Sequence, residues 1–189
     1  MWRTRVGYAG GVTADPIYRR IGDHTECFQL DFAPDVVSYD ELLDEFWSSH
    51  NPTRPAYSTQ YASLILAHDA DQMARAELSR DRLESILQRP VLTRIELLER
   101  FYVAEDYHQK YYLRQDRVLM NDFRAMFGQD EAAFRESVAA ARANGFVAGE
   151  GTRRQLDAVL DELGLSDPAR ADLVGKLGGR GQHLSYSAS

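Results

Sequence analysis

Aromatic side chains are spread so unevenly along this chain that they divide it before any element is assigned. Of the 20 Phe, Tyr and Trp residues, 15 fall in residues 1–115 and five in 116–189, and five of the six prolines also lie in the first part. Aromatics carry the largest apolar area per residue and dominate mixed cores. The Ala-, Leu-, Arg- and Asp-rich remainder favours helices. Two regions are therefore expected, a compact mixed domain at 1–115 and an all-helical extension at 116–189.

Within the first region the hydrophobic period switches repeatedly. Residues 2–8 alternate as a strand and run into the turn signal Gly10-Gly11. Phe28, Leu30 and Phe32 alternate with Cys27, Gln29 and Asp31, which predicts a half-buried strand with its apolar face on the even numbers, stopped by Pro34. Ser38 followed by Glu41 forms a capping box, and Leu42, Leu43, Phe46 and Trp47 make one helical face that ends at Asn51-Pro52. Residues 61–66 and 91–97 read as strands. A helix from Asp69 to about Gln88, with Met73, Ala76, Leu83 and Ile86 inward, separates them, and 104–113 reads as a short aromatic helix. Beyond Arg114, helical patterns cover 119–127, 130–144, 152–163 and 168–177, and the chain from Gly178-Gly179 onward reads as a frayed tail. The order strand–strand–helix–strand–helix–strand is an α+β sandwich pattern.

Charge and composition exclude several classes. A formal charge of −7 argues against a nucleic-acid partner, which selects for a basic surface. No apolar run approaches the roughly 18 residues of a membrane span, and no signal-peptide pattern follows Met1, so no membrane partner and a cytoplasmic location are expected. The single cysteine, Cys27, excludes an internal disulfide and a cysteine-based metal cluster.

The candidate chemistry begins with Glu26. Parity places it on the face of Phe28, Leu30 and Phe32, at the end of the apolar stripe. Burial disfavours the charged form of a carboxyl, which is how a protein keeps an acid able to donate a proton near neutrality; the competing reading is a strand-end Glu turned to solvent. His24 shares the parity, as a second acid or as a local hydrogen-bonding group. Tyr18 and Tyr61 offer hydroxyl donors to a polar substrate oxygen, or are core tyrosines. Cys27 points to the face opposite Glu26 without a cationic neighbour or helix N-terminus, and reads as an incidental thiol. The run Glu105-Asp106-Tyr107-His108-Gln109 is metal-friendly in composition but has no second His at helical spacing, so no metal site is expected.

Several segments together resemble the A-type peptide methionine sulfoxide reductase family: Val6-Gly7-Tyr8-Ala9-Gly10-Gly11, Pro16-Ile17-Tyr18, His24-Thr25-Glu26, Asp40-Glu41-Leu42-Leu43-Asp44-Glu45-Phe46-Trp47 with His50-Asn51-Pro52, Thr59-Gln60-Tyr61, and Phe101 through Gln109. Their order and spacing agree from residue 3 to about 113, and residues 116–189 match no pattern recognised in that family. The resemblance implies a ferredoxin-like two-layer sandwich. It also implies reduction of the S-epimer of methionine sulfoxide, free or in proteins. In the family a cysteine thiolate attacks the sulfoxide sulfur, an acid matching Glu26 protonates the oxygen, and tyrosines matching Tyr18 and Tyr61 hydrogen-bond it. His24 is the remaining substrate-binding candidate. No cofactor is implied beyond an external thiol reductant such as thioredoxin.

The chain departs from the family in several places. The family's nucleophile lies in a Gly-Cys-Phe-Trp-Gly stretch one strand and helix before the segment matching residues 7–11, so the sandwich is expected to lack its first strand and helix, and the chain to be inactive as it stands. A family aspartate just before Thr-Gln-Tyr falls near Ala56 in a shortened loop, Ala62 follows Tyr61 where Arg is usual, and C-terminal resolving cysteines are missing. Two expectations follow: a reductase whose protein extends upstream of Met1, or a non-catalytic paralogue acting as a binding or interaction module.

Overall fold

The two helices of the first region start where a local signal starts them. The structure, a computed structural model, describes residues 3–180. β1 (Arg3–Ala9) is the middle strand of a three-stranded sheet, between β2 (Thr25–Asp31) and β5 (Tyr102–Val103). β1 and β5 are antiparallel, with Gly7 opposite Val103 and Tyr8 opposite Tyr102. Gly7 is required by this pairing: a Cβ there would lie 2.3 Å from the Phe101 ring and 2.4 Å from the Tyr102 carbonyl oxygen.

α1 (Tyr39–Ser48) opens with the expected reciprocal cap, in which Ser38 and Glu41 each satisfy the other's backbone N–H. α2 (Ala70–Leu87) starts at Asp69, whose carboxylate accepts from the Gln72 amide, and ends at Gln88 in the left-handed region. Between β3 (Leu64–Ala67) and β4 (Arg94–Leu97) α2 forms the crossover that a parallel pair requires, with Ile65 opposite Ile95. Leu43, Trp47, Ile65, Ala76 and Val91 form the core of this layer, and the Trp47 indole donates to Ser79 Oγ at 3.0 Å.

Four local expectations in this region are corrected. Tyr61 belongs to a 3-10 turn (Thr59–Tyr61), and the strand expected from 61 begins only at Leu64. The strand expected over 91–97 is confined to Arg94–Leu97. Ile86, expected inward, is 71% exposed, while Ala76 and Leu83 of the same helix pack into the core. The even face of β2 is the more open one, with Phe28 64% exposed.

By backbone proximity the chain divides into two units, one of Arg5–Glu105 and a second running from Asp106 onward together with Arg3 and Thr4. In the second, the expected aromatic helix is broken into a 3-10 turn (Asp106–His108) and α3 (Tyr111–Arg114) by Lys110 at φ 53. The Lys110 ammonium, nearly fully buried, is spent on backbone and hydroxyl oxygens of Thr4 and the carbonyl of Arg135, at 2.6–2.9 Å. α4 (Arg117–Phe127) is capped by Asp116. The helix expected over 130–144 is two helices, α5 (Glu131–Glu136) and α6 (Val138–Ala148), because Ser137 turns extended and its hydroxyl caps α6. α7 (Arg153–Asp157) passes into a 3-10 turn (Leu160–Leu163), and α8 (Asp167–Arg180) runs through Gly178-Gly179 rather than fraying there. The rest of the expected tail lies outside the described residues. Leu113, Leu119, Phe123, Phe134, Leu156, Leu163 and Leu173 pack as one core, with Ala140 and Ala143 admitting close helix approach.

Among the described residues no helix is long and apolar enough to cross a membrane.

Candidate functional site

β2, α1 and β3 enclose a groove of about 860 Å³ in the first unit. Phe28, Leu30, Leu42, Phe46, Leu66 and Phe101 supply its apolar wall, and Glu26 and Tyr61 supply polar groups. Glu26 is half-buried on the even face of β2. At the odd positions of β2, Arg5 on β1 donates to Gln29 at 3.1 Å and to Asp31 at 3.3 Å.

Tyr18 and Tyr61 are brought together from 43 residues apart. Tyr18 sits in a tight loop closed by Arg20 N–H donating to the Ile17 carbonyl at 2.8 Å. Tyr61 ends its 3-10 turn, which is pinned to β2 where the Thr25 hydroxyl donates to the Thr59 carbonyl at 2.9 Å. The two phenol oxygens are 3.5 Å apart, at the outer limit of a hydrogen bond. The Tyr18 hydroxyl, and behind it the negative charge of Glu26, push Tyr61 above its ordinary 10.0. Tyr61 therefore remains a neutral donor at physiological pH, beside a carboxyl whose charge it feels.

His24 is placed elsewhere. Its ring is 1% exposed, its Nδ1 accepts from the Gly11 amide at 3.2 Å, and its Nε2 lies 2.7 Å from the Thr13 carbonyl oxygen. With both nitrogens committed to the loop after β1, it has no atom to offer a substrate. Asp23 reinforces the same loop by accepting from the Val12 and Thr13 amides and the Thr13 hydroxyl, which together hold its carboxyl well below the usual range.

The Cys27 thiol donates to the Gly7 carbonyl across a 3.7 Å gap. Burial, with the adjacent Glu26 charge, pushes it up to about 12. A thiol so held is almost wholly protonated at neutral pH and a poor nucleophile.

Two features of the site were not legible in the sequence. Glu105, which the sequence placed in a metal-friendly run and in a family-like segment without a role of its own, accepts from the Tyr18 amide at 3.1 Å and the Tyr8 hydroxyl at 2.6 Å. In the groove wall, His50 Nε2 lies 2.8 Å from Ser63 Oγ, which lies 2.7 Å from the hydroxyl of buried Thr93. His50 Nδ1 is 2.9 Å from the Phe46 carbonyl oxygen, so this chain ties the end of α1 to β3 and β4. Both arrangements join residues far apart in sequence, and no local spacing announces them.

Comparison with known proteins gives concordant results. The sequence model of the family described as peptide methionine sulfoxide reductase matches residues 1–140. That match continues past 115 into the helical region, which corrects the expectation that the likeness ends near 113. A peptide methionine sulfoxide reductase of Drosophila melanogaster is 40% identical over 171 residues, covering 89% of this chain and 68% of that protein. Peptide methionine sulfoxide reductase A5 of Oryza sativa subsp. japonica is 33% identical over 171 residues, covering 85% and 66%. The chain thus spans about two thirds of the length of these relatives. Among solved structures, that of Mxr1 from Saccharomyces cerevisiae in reduced form is similar with a TM-score of 0.55 at 29% identity, over 60% of this chain and 70% of that one.

Proposed function

Because the chain belongs to the peptide methionine sulfoxide reductase family, an oxidoreductase family, we propose that its first unit is the sulfoxide-binding and proton-donating part of a peptide-methionine (S)-S-oxide reductase. The observation that carries this reading is the convergence of the Tyr18 and Tyr61 hydroxyls, 3.5 Å apart, beside Glu26 at the groove. In this reading the two phenols donate to the sulfoxide oxygen and hold it beside Glu26. As a thiolate attacks the sulfur, negative charge builds on that oxygen. Glu26 protonates it, the hydroxyl passes from the sulfoxide sulfur to the attacking sulfur as the S–O bond and the transient S–S bond break, and the methionine thioether is released, leaving the attacking thiol as a sulfenic acid. A positioned acid contributes about 10²–10⁴-fold to such a step. An external thiol, thioredoxin among the candidates, then reduces the sulfenic acid. Apolar groove residues suit the methionine methyl group.

In this reading the attacking thiolate is not Cys27, the one thiol in these 189 residues, because that half-buried thiol is held protonated. In the family it comes from a Gly-Cys-Phe-Trp-Gly stretch on an element absent from residues 3–180. The three-stranded sheet and the parallel pair are accordingly read as parts of a ferredoxin-like sandwich whose inner strand belongs between β2 and β3, where the groove lies. His24 serves the site through the loop it holds rather than by touching substrate, and the helical region from 116 is read as an extension. The protonated state of Cys27 favours a second reading, in which the chain binds the sulfoxide without reducing it.

The test is calorimetric titration of the chain with the S and R sulfoxides of N-acetyl-methionine amide, followed by assay with dithiothreitol. Preferential binding of the S-epimer, weakened in Tyr61→Phe, supports the site. Equal affinity for the two epimers, or binding unchanged in that variant, refutes it. Turnover of the unmodified chain that disappears in Cys27→Ser would overturn the assignment of Cys27.

A further inference from the structure

We propose that Glu105 is the positioning residue that holds Tyr18 against Tyr61. Tyr18 lies on a surface loop between Gly11 and Asp23 whose own backbone closes locally, through the Ile17–Arg20 bridge, and local closure does not fix where the loop points. The Glu105 carboxylate supplies that direction. One oxygen accepts from the Tyr18 amide at 3.1 Å, 87 residues away, and the other accepts from the Tyr8 hydroxyl at 2.6 Å. Tyr8 is fully buried in the central strand, so its hydroxyl is a fixed point. Glu105 follows Ala104, whose amide donates to the Val6 carbonyl at 2.9 Å, so its backbone is also tied to β1. The carboxylate thus bridges an immobile phenol and a loop amide. Hydrogen bonds to a charged acceptor are the stronger kind. Two such bonds on one carboxylate define a direction as well as a distance.

The neighbouring phenol has its own anchor, the Thr25–Thr59 bond. The 3.5 Å approach of Tyr18 to Tyr61 is therefore the meeting of two independently tethered loops, and cutting one tether separates them without unfolding the sheet. Glu105 touches no reacting atom in this account. Its consequence for sulfoxide binding rests on the function proposed above, but its effect on the Tyr18–Tyr61 pair does not.

The experiment compares Glu105→Ala, Glu105→Asp and Glu105→Gln in the full chain by NMR with ¹³C-labelled tyrosine. The ring-to-ring Overhauser effect between Tyr18 and Tyr61 should be present in the parent. It should be lost in Glu105→Ala and Glu105→Asp, which cannot span both partners, and kept in Glu105→Gln, whose amide oxygen still accepts from Tyr18 and whose NH₂ still reaches Tyr8. The Tyr61 titration should fall back toward its ordinary value wherever that effect is lost. Should Glu105→Ala not fold, the shorter Glu105→Asp decides. An unchanged Overhauser effect and titration in a folded Glu105→Asp overturn the proposal. Calorimetry on the same variants adds a ligand readout: affinity for N-acetyl-methionine amide S-sulfoxide should drop about tenfold while that for the corresponding thioether stays constant. If the NMR result holds and the parent binds no sulfoxide, the positioning role stands and the functional reading fails.

Discussion

The Cys27 thiol donates to the Gly7 carbonyl oxygen on the adjoining strand, 3.7 Å away, although Cys27 lines the same groove as Glu26. Its raised value follows first from burial and then from the Glu26 charge. For a group raised on folding, the associated stabilisation is complete below the ordinary 9.0 and is lost as pH rises through about 12. Alkylation by iodoacetamide at pH 8 should therefore be slower in the native chain than in the urea-unfolded chain by on the order of a thousandfold, from thiolate fraction alone. Mass spectrometry of quenched samples measures this, and equal rates would show the thiol to be open.

In the proposed function, Glu26 donates the proton. In a reductase containing these residues, Glu26→Gln should lower turnover at least tenfold, at or just below the usual range of about 10²–10⁴ for loss of an acid catalyst. The amide keeps the shape and removes the proton, so steady-state assay with the S-sulfoxide separates chemistry from fit; an unchanged kcat would remove Glu26 from the mechanism.

His24 is a structural clamp in the loop that precedes the site. Replacing it with Ala leaves the half-buried Gly11 amide and Thr13 carbonyl without their partner. The expected cost is about 2–4 kcal/mol, read as a lower urea midpoint with unchanged slope. A loss below about 0.5 kcal/mol, the size of a typical surface change, would contradict the clamp.

In the second unit, Asp116 caps α4 through the Val118 and Leu119 amides, and its side chain, 4% exposed, meets Lys176 at 2.8 Å. Burial alone would raise this carboxyl, but the Lys176 ammonium and the two amides outweigh it and hold it below 3.8. The sign follows: stabilisation is complete above the ordinary value and is lost as pH falls through the lower folded one. Asp116→Ala should cost about 2–4 kcal/mol at pH 7. The difference from the parent should shrink on acidification below pH 3.8, which parallel denaturant titrations would follow.

What the sequence determined by itself are the features whose causes lie within a few residues. Ser38 and Glu41 cap one helix, Asp69 starts another, and the two meet as expected because a capping group needs only the amides three residues on. The spaced segments around Tyr18, Glu26 and Tyr61 carried the family likeness for the same reason, being short and contiguous. Tertiary structure decided everything that depends on a partner from far along the chain. Alternation could assign Phe28 to a face but could not tell whether anything covers that face, and it is 64% exposed. His24 looked like a substrate ligand until the loop at 11–13 closed on both its nitrogens. Ser137 broke a helix that periodicity ran straight through. Glu105 acquired its role only when β5 paired beside β1, since burial and long-range hydrogen bonding are properties of the packed chain and leave no periodic trace in the residues that make them.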